Sequence, residues 1–106
     1  MPNTYGLVGA KANEIVPEKR MLSSMSPTIV KKDGNPYLVL GAPGGSTIIT
    51  AVLQVFLNQT VYGHDLESAV NACRTHHQWL PDRILIENDC LEAEVRAALE
   101  LSLIHI

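Results

Sequence analysis

The chain has 106 residues, a mass of 11.6 kDa and a formal net charge of -3, a length that holds one small core and excludes two independent domains. Hydrophobic residues make up 46% and charged residues 18%, below the roughly 25% usual for a soluble domain, which excludes a disordered chain and implies a large buried fraction. With 8 Lys+Arg against 11 Asp+Glu, no net positive field draws phosphate backbones or an anionic membrane, so no nucleic-acid partner is expected.

In chain order, Met1 to Arg20 mixes Gly6, Gly9 and Pro17 with short apolar runs and reads as an ordered loop with at most a brief strand or helical turn. It shows neither a basic start nor a long apolar run, so no secretory signal is legible. Thr28 to Lys32 and Tyr37 to Leu40, joined by Asp33-Gly34-Asn35-Pro36, spell an antiparallel hairpin. The second strand is apolar at consecutive positions, which predicts cover on both faces. Thr47 to Asn58 is apolar nearly all round and predicts a buried helix. Its apolar stretch, Ile48 to Leu57, is far shorter than the roughly 20 residues a membrane span needs. Asp65 as N-cap, with Leu66, Ala69, Val70 and Cys73 at helical spacing, predicts a second helix ending near Arg74. His76 to Asp82 reads as a loop closed by Pro81, Arg83 to Glu87 as a strand with Ile84 and Ile86 on one face, and Leu91 to Leu101 as an amphipathic helix. The hairpin and the Arg83 to Glu87 strand are expected in one sheet, with the Thr47 to Asn58 helix on a face of it.

Three places could carry chemistry. Gly41-Ala42-Pro43-Gly44-Gly45-Ser46 lies between a strand and a helix, where free backbone N–H groups and the positive end of the helix dipole suit an anion or oxyanion. From spacing alone, a tight turn needing glycine dihedrals accounts for it better. Ser23, Ser24 and Ser26 precede the first strand, where short donors could meet a carboxylate but more commonly cap turns. Cys73, His76 and His77 could share one side of a continued helix as metal ligands, yet Trp79 and Pro81 argue that the helix has ended and favour imidazoles packing a loop onto the core. No metal is expected, and Cys90 reads as packing. Two cysteines, Cys73 and Cys90, are too few for a disulfide framework and lack CxxC spacing, leaving their pairing open.

The segments PNTYGLVGAKANEIVPEKRMLSSMSPTIV, GAPGGSTIITAVLQVFLN and ACRTHHQWLPD, in this order and spacing, resemble the small, C-terminal subunit of γ-glutamyltransferase, also called γ-glutamyl transpeptidase or glutathione hydrolase. The likeness runs from about Pro2 to about Glu87, and residues 88–106 form a weakly matched tail. It implies an α/β (α+β) chain that is part of the αββα sandwich of the N-terminal-nucleophile hydrolases. It also implies transfer of a γ-glutamyl group from glutathione or another γ-glutamyl donor to water, an amino acid or a peptide, without a cofactor. By the same resemblance Ser23 and Ser24 donate to the α-carboxylate of the donor, and the backbone N–H groups of Gly44 and Gly45 form the oxyanion hole. The family's threonine nucleophile, and the acidic residue that grips the donor's α-amino group, belong to stretches preceding the PNTYGLVG segment; Thr4 and Thr28 do not match the motif. Many members have Ser at Ala42, Arg at Thr47 and Pro at Cys73.

These features predict a single partial domain, incomplete at both ends and inactive alone, that works with the large subunit of a periplasmic or extracellular enzyme. The alternatives are a non-catalytic domain that holds a carboxylate or phosphate at GAPGGS, and an inert structural remnant.

Overall fold

A computed structural model describes residues 1–103. Strands β1 (Thr28–Lys32) and β2 (Asn35–Leu40) pair antiparallel, with Thr28 opposite Leu40 and Lys32 opposite Asn35. Asp33 and Gly34 both adopt positive φ, 52° and 82°, which is the backbone of a two-residue hairpin turn whose twist matches that of the strands. The second strand therefore starts at Asn35, earlier than its apolar run suggests. Pro36, opposite Lys31, sits beside the register shift between Val30 and Lys31 in which Tyr37 is the extra residue, a position next to a bulge and at the strand's start where proline is tolerated.

A 3-10 turn (Gly45–Thr47) leads into helix α1 (Ile48–Thr60), one residue later than the periodicity predicts. Ile48, Val52 and Val55 lie on one face of α1 and are buried with Leu38 of β2. Helix α2 (Leu66–Asn71) packs on the same face of the core through Ala69, which is only 1% exposed. Asp65 caps α2 as the sequence predicts, its Oδ1 accepting from the Ser68 N–H at 2.9 Å and its Oδ2 from the Ser68 hydroxyl at 2.7 Å. The helix ends at Asn71 rather than near Arg74, because Ala72 turns extended and the following residues are drawn to a different part of the chain. Cys73 is disulfide-bonded to Cys90 with Cα atoms 5.5 Å apart, so Cys90 is a covalent tie rather than simple packing. Arg74 Nε donates to Glu87 Oε1 at 2.9 Å, and the Arg74 N–H donates to Glu87 Oε2 at 3.1 Å.

Those ties bring β3 (Thr75–His76) antiparallel to β4 (Leu85–Ile86). The expected strand over Arg83 to Glu87 is thus two residues long, and the expected single sheet is two separate two-stranded sheets among the described residues. Local crosslinks win here: β4 pairs with the segment tied to it through Arg74 and Cys73, not with the hairpin. Helix α3 (Ala93–Leu103) follows, with Val95 and Leu99 on its exposed surface.

The expected two-sided burial of β2 and all-round burial of α1 do not occur among the described residues. Val39 is 70% exposed opposite the exposed Ile29, while Ile49 and Leu53 of α1 are 55% and 51% exposed. The radius of gyration, 17.1 Å, exceeds the roughly 13 Å of a compact chain of this length. Among the described residues no helix is long and apolar enough to cross a membrane.

Candidate active site

Gly44 has φ 129° and ψ 15°, and Gly45 has φ 62°, two successive conformations that a side chain disfavours. A Cβ on Gly44 would lie 2.5 Å from Thr47 Oγ1. That hydroxyl folds back to donate to the Gly44 carbonyl at 2.9 Å, beside the Thr47 N–H at 3.3 Å, so the carbonyl is pinned inward. The N–H groups of Gly44 and Gly45 have no hydrogen-bond acceptor among the described residues. The oxyanion-type donors proposed from the sequence therefore sit in the 3-10 turn before α1, not in its first α-helical turn.

Tyr5 covers Gly45. It belongs to a small closed loop in which the Asn3 side-chain oxygen accepts from the N–H groups of Tyr5 and Leu7, at 2.9 and 3.0 Å, and Asn3 N–H bonds Leu7 O at 2.8 Å. Gly6, with φ 74°, packs so tightly on Pro81 that a Cβ there would lie 2.8 Å from its Cδ. Gln78 Nε2 holds the Tyr5 carbonyl at 2.8 Å and the Leu80 carbonyl at 2.9 Å. The loop from His77 to Asp82, one residue shorter than the sequence suggests because His76 belongs to β3, includes a cis Leu80–Pro81 bond and fastens the N-terminal segment over the glycine turn.

Ser23 is exposed and Ser24 half-buried. Ser23 Oγ accepts from the Met25 N–H at 3.2 Å, a local turn bond that leaves its own proton free to donate. The Ser24 hydroxyl makes no hydrogen bond among the described residues, while its carbonyl accepts from Ser26 Oγ at 3.1 Å. The serine run therefore does both things the sequence allows, closing turns and keeping donors available. Ser23, Ser24 and Gly45 line one cleft of about 700 Å³ together with Tyr5, Lys19 and Arg20. The two cations favour an anionic end of a ligand near the serines. Gly44 lies on the other side of Tyr5, in a hollow of about 220 Å³ shared with Thr47, His76 and Gln78. The four residues singled out from the sequence are thus divided, three in one cleft and Gly44 behind the tyrosine.

The alternative metal cluster is not assembled. Cys73 is bonded to Cys90, and His76, which is 9% exposed, has Nδ1 2.8 Å from Thr50 Oγ1 and Nε2 2.8 Å from Gln78 Oε1. His77 faces outward, with Nε2 3.4 Å from Asp82 Oδ1. One carboxyl away from the cleft, Asp65, is held below the usual carboxylate range, chiefly by the Ser68 N–H and then by its hydroxyl.

By fold this is an α+β chain of the kind that builds the αββα sandwich of N-terminal-nucleophile hydrolases. The γ-glutamyltranspeptidase of Helicobacter pylori matches it with a TM-score of 0.92 and 52% identity, over 96% of this chain and 55% of that one. That of Pseudomonas nitroreducens, solved in complex with L-DON, matches with a TM-score of 0.89 and 48% identity, over 96% of this chain and 54% of that one. The glutathione hydrolase proenzyme of Escherichia coli K12 is 60% identical over 87 residues, which is 82% of this chain and 15% of that protein. The glutathione hydrolase proenzyme of Pseudomonas sp. strain A14 is 51% identical over 100 residues, 94% of this chain and 17% of that protein. The sequence model of the family described as gamma-glutamyltranspeptidase matches residues 1–105, and the chain belongs to that family. It spans about a sixth of the curated relatives' length.

Sequence reading passed over Asn3, Tyr5 and Gln78 as site residues, and weighed His76 only as a metal ligand or as an imidazole packing the loop onto the core. The local signal for the first two was present: Asn3 three residues before Gly6 is turn chemistry that would aim the intervening Tyr5. For His76 and Gln78 the chain order gives nothing, since their partners Thr50 and Tyr5 are distant in sequence.

Proposed function

We propose that this chain supplies the donor-carboxylate contacts and the oxyanion hole of an enzyme that transfers the γ-glutamyl group of glutathione or a related donor to water, an amino acid or a peptide. Ser23 and Ser24 donate to the α-carboxylate, with Lys19 and Arg20 adding favourable charge. When a hydroxyl attacks the γ-carbonyl, the N–H groups of Gly44 and Gly45 stabilise the developing oxyanion. The observation that carries this reading is the convergence of Ser23, Ser24 and Gly45 on one cleft.

The nucleophile comes from outside these residues. No threonine lines that cleft. The hydroxyls of Thr28, Thr47 and Thr60 each donate to a backbone carbonyl, and Thr75 Oγ1 bonds Gln54. A large subunit, and the strands that cover the bare faces of β2 and α1, complete the catalytic unit. Turnover of a chromogenic γ-glutamyl anilide tests this: the complete enzyme carrying the segment releases the anilide, and the 106-residue chain alone does not. Protein-dependent release by the isolated chain would overturn the assignment of the nucleophile and turn attention to Ser23, Ser24 and Ser46.

A further inference from the structure

His76 is a buried polar side chain that the proposed chemistry does not use, and both its nitrogens are engaged. The orientation of Gln78 fixes how. Its Nε2 spends both protons on the carbonyls of Tyr5 and Leu80, so the atom facing His76 Nε2 is the acceptor Oε1, and Nε2 of the imidazole carries a proton. In the neutral ring Nδ1 is then an acceptor for the Thr50 hydroxyl at 2.8 Å. That hydroxyl has one proton, so with Nδ1 accepting it the Thr47 carbonyl 3.0 Å away is a close neighbour and not a second acceptor, while Thr47 holds the Gly44 carbonyl through its own Oγ1. On the other side of the ring, Gln78 holds the carbonyl of Tyr5, whose ring lies against Gly45.

We infer that His76 is the positioning residue of the Gly44–Gly45 turn, acting through two arms: the Thr50 hydroxyl, which anchors the first turn of α1 directly behind the Thr47 clamp on the Gly44 carbonyl, and Gln78, which holds Tyr5 against Gly45. The arms meet the turn from opposite faces and have one common node. The direction of the Gly45 N–H is fixed by the rotation of the Gly44–Gly45 peptide plane, which also carries the clamped Gly44 carbonyl. Glycine does not restrain that rotation, so side-chain ties must. The carbonyl clamp from Thr47 and the ring contact from Tyr5 are those ties.

The inference rests on the γ-glutamyl-transfer reading for its effect on rate, and on geometry alone for its effect on the turn. Two variants of the complete enzyme separate the arms with little change in volume: Thr50→Val removes the hydroxyl, and Gln78→Glu keeps an acceptor for His76 but loses the donor to Tyr5. Each lowers kcat per active site by about ten- to a hundredfold, with the donor KM changed by less than about threefold, and Thr50→Ser restores kcat. In the same proteins labelled with ¹⁵N-glycine, the Gly45 amide signal moves in Thr50→Val, returns in Thr50→Ser and moves in Gln78→Glu. Unmoved glycine signals, or an unchanged kcat in both variants of an active enzyme, would overturn the positioning role. A wild-type protein without turnover whose glycine signals still respond would instead overturn the proposed reaction and leave the positioning role standing.

Discussion

The ring of Tyr5 lies against the α-carbon of Gly45 so closely that a Cβ there would sit 2.5 Å from Cε1 and 2.9 Å from Cδ1 and Cζ. The contact joins the start of the chain to the turn before α1, and it divides the ground between the serines and Gly44. Tyr5 is held in place by Asn3 from its own loop and by Gln78 from the opposite one, so it acts as a fixed wall.

Gly45→Ala combines two costs, a side chain in the φ 62° region and a collision with a ring that is tied at its backbone. In the complete enzyme it should displace the Gly45 N–H and lower kcat far more than it raises the donor KM, by up to the loss of one oxyanion donor, about 2.7 to 4 kcal/mol of transition-state stabilisation. Steady-state kinetics with a γ-glutamyl anilide measures it. A mutant with unchanged kcat would show that this N–H does not serve the oxyanion.

Ser24→Ala removes a half-buried hydroxyl with no partner among the described residues, so its effect should fall on the donor alone. The expected loss in kcat/KM is on the order of 1.5 to 3 kcal/mol, the worth of a hydrogen bond to a charged group. Ser23→Ala should show a similar loss plus a local one, since the Met25 N–H also loses its acceptor. Comparing a γ-glutamyl donor with one whose α-carboxylate is an amide separates the two: Ser24→Ala should discriminate between them less than the parent enzyme does.

The Cys73–Cys90 crosslink closes a loop with a sequence separation of 17 that contains β3, β4 and the His76 to Asp82 segment. Cys90→Ser should destabilise this region by about 3 kcal/mol through the entropy returned to the open loop. Thermal unfolding with and without reductant measures it in the complete protein. If reductant lowers the Tm of the parent but leaves that of Cys90→Ser unchanged, the effect belongs to this bond.

Asp65 gives a stability term with a definite sign. Its folded pKa is lowered from 3.8 by the Ser68 N–H and hydroxyl, so the contribution is complete above the ordinary carboxylate range and is lost as pH falls through the lowered folded value. Amide exchange in α2 should therefore speed up on acidification. Asp65→Asn, which keeps a cap but not a titrating one, should abolish that dependence. An α2 exchange profile that is the same for Asp65 and the Asn variant across that range would remove the cap from the account.

The chain's own letters determined its local structure. Asp33-Gly34 can hardly do anything but reverse a strand, Asp65 with Ser68 closes the start of α2, and the glycines at 44 and 45 supply conformations no other residue enters cheaply. Ser23, Ser24, Gly44 and Gly45 were legible as candidates through the resemblance, because hydroxyls and glycine turns carry their chemistry in residue type. Tertiary structure alone decided what those residues face. The pairing of β3 with β4, the Cys73–Cys90 bond, the placement of Tyr5 on Gly45 and the meeting of His76 with Thr50 depend on contacts between separate segments of the chain. The burial expected for β2 and α1 was misjudged for the same reason. Hydrophobic periodicity reports that a face is apolar, but whether it is covered depends on which other segments reach it, and at Val39, Ile49 and Leu53 none within the described residues does.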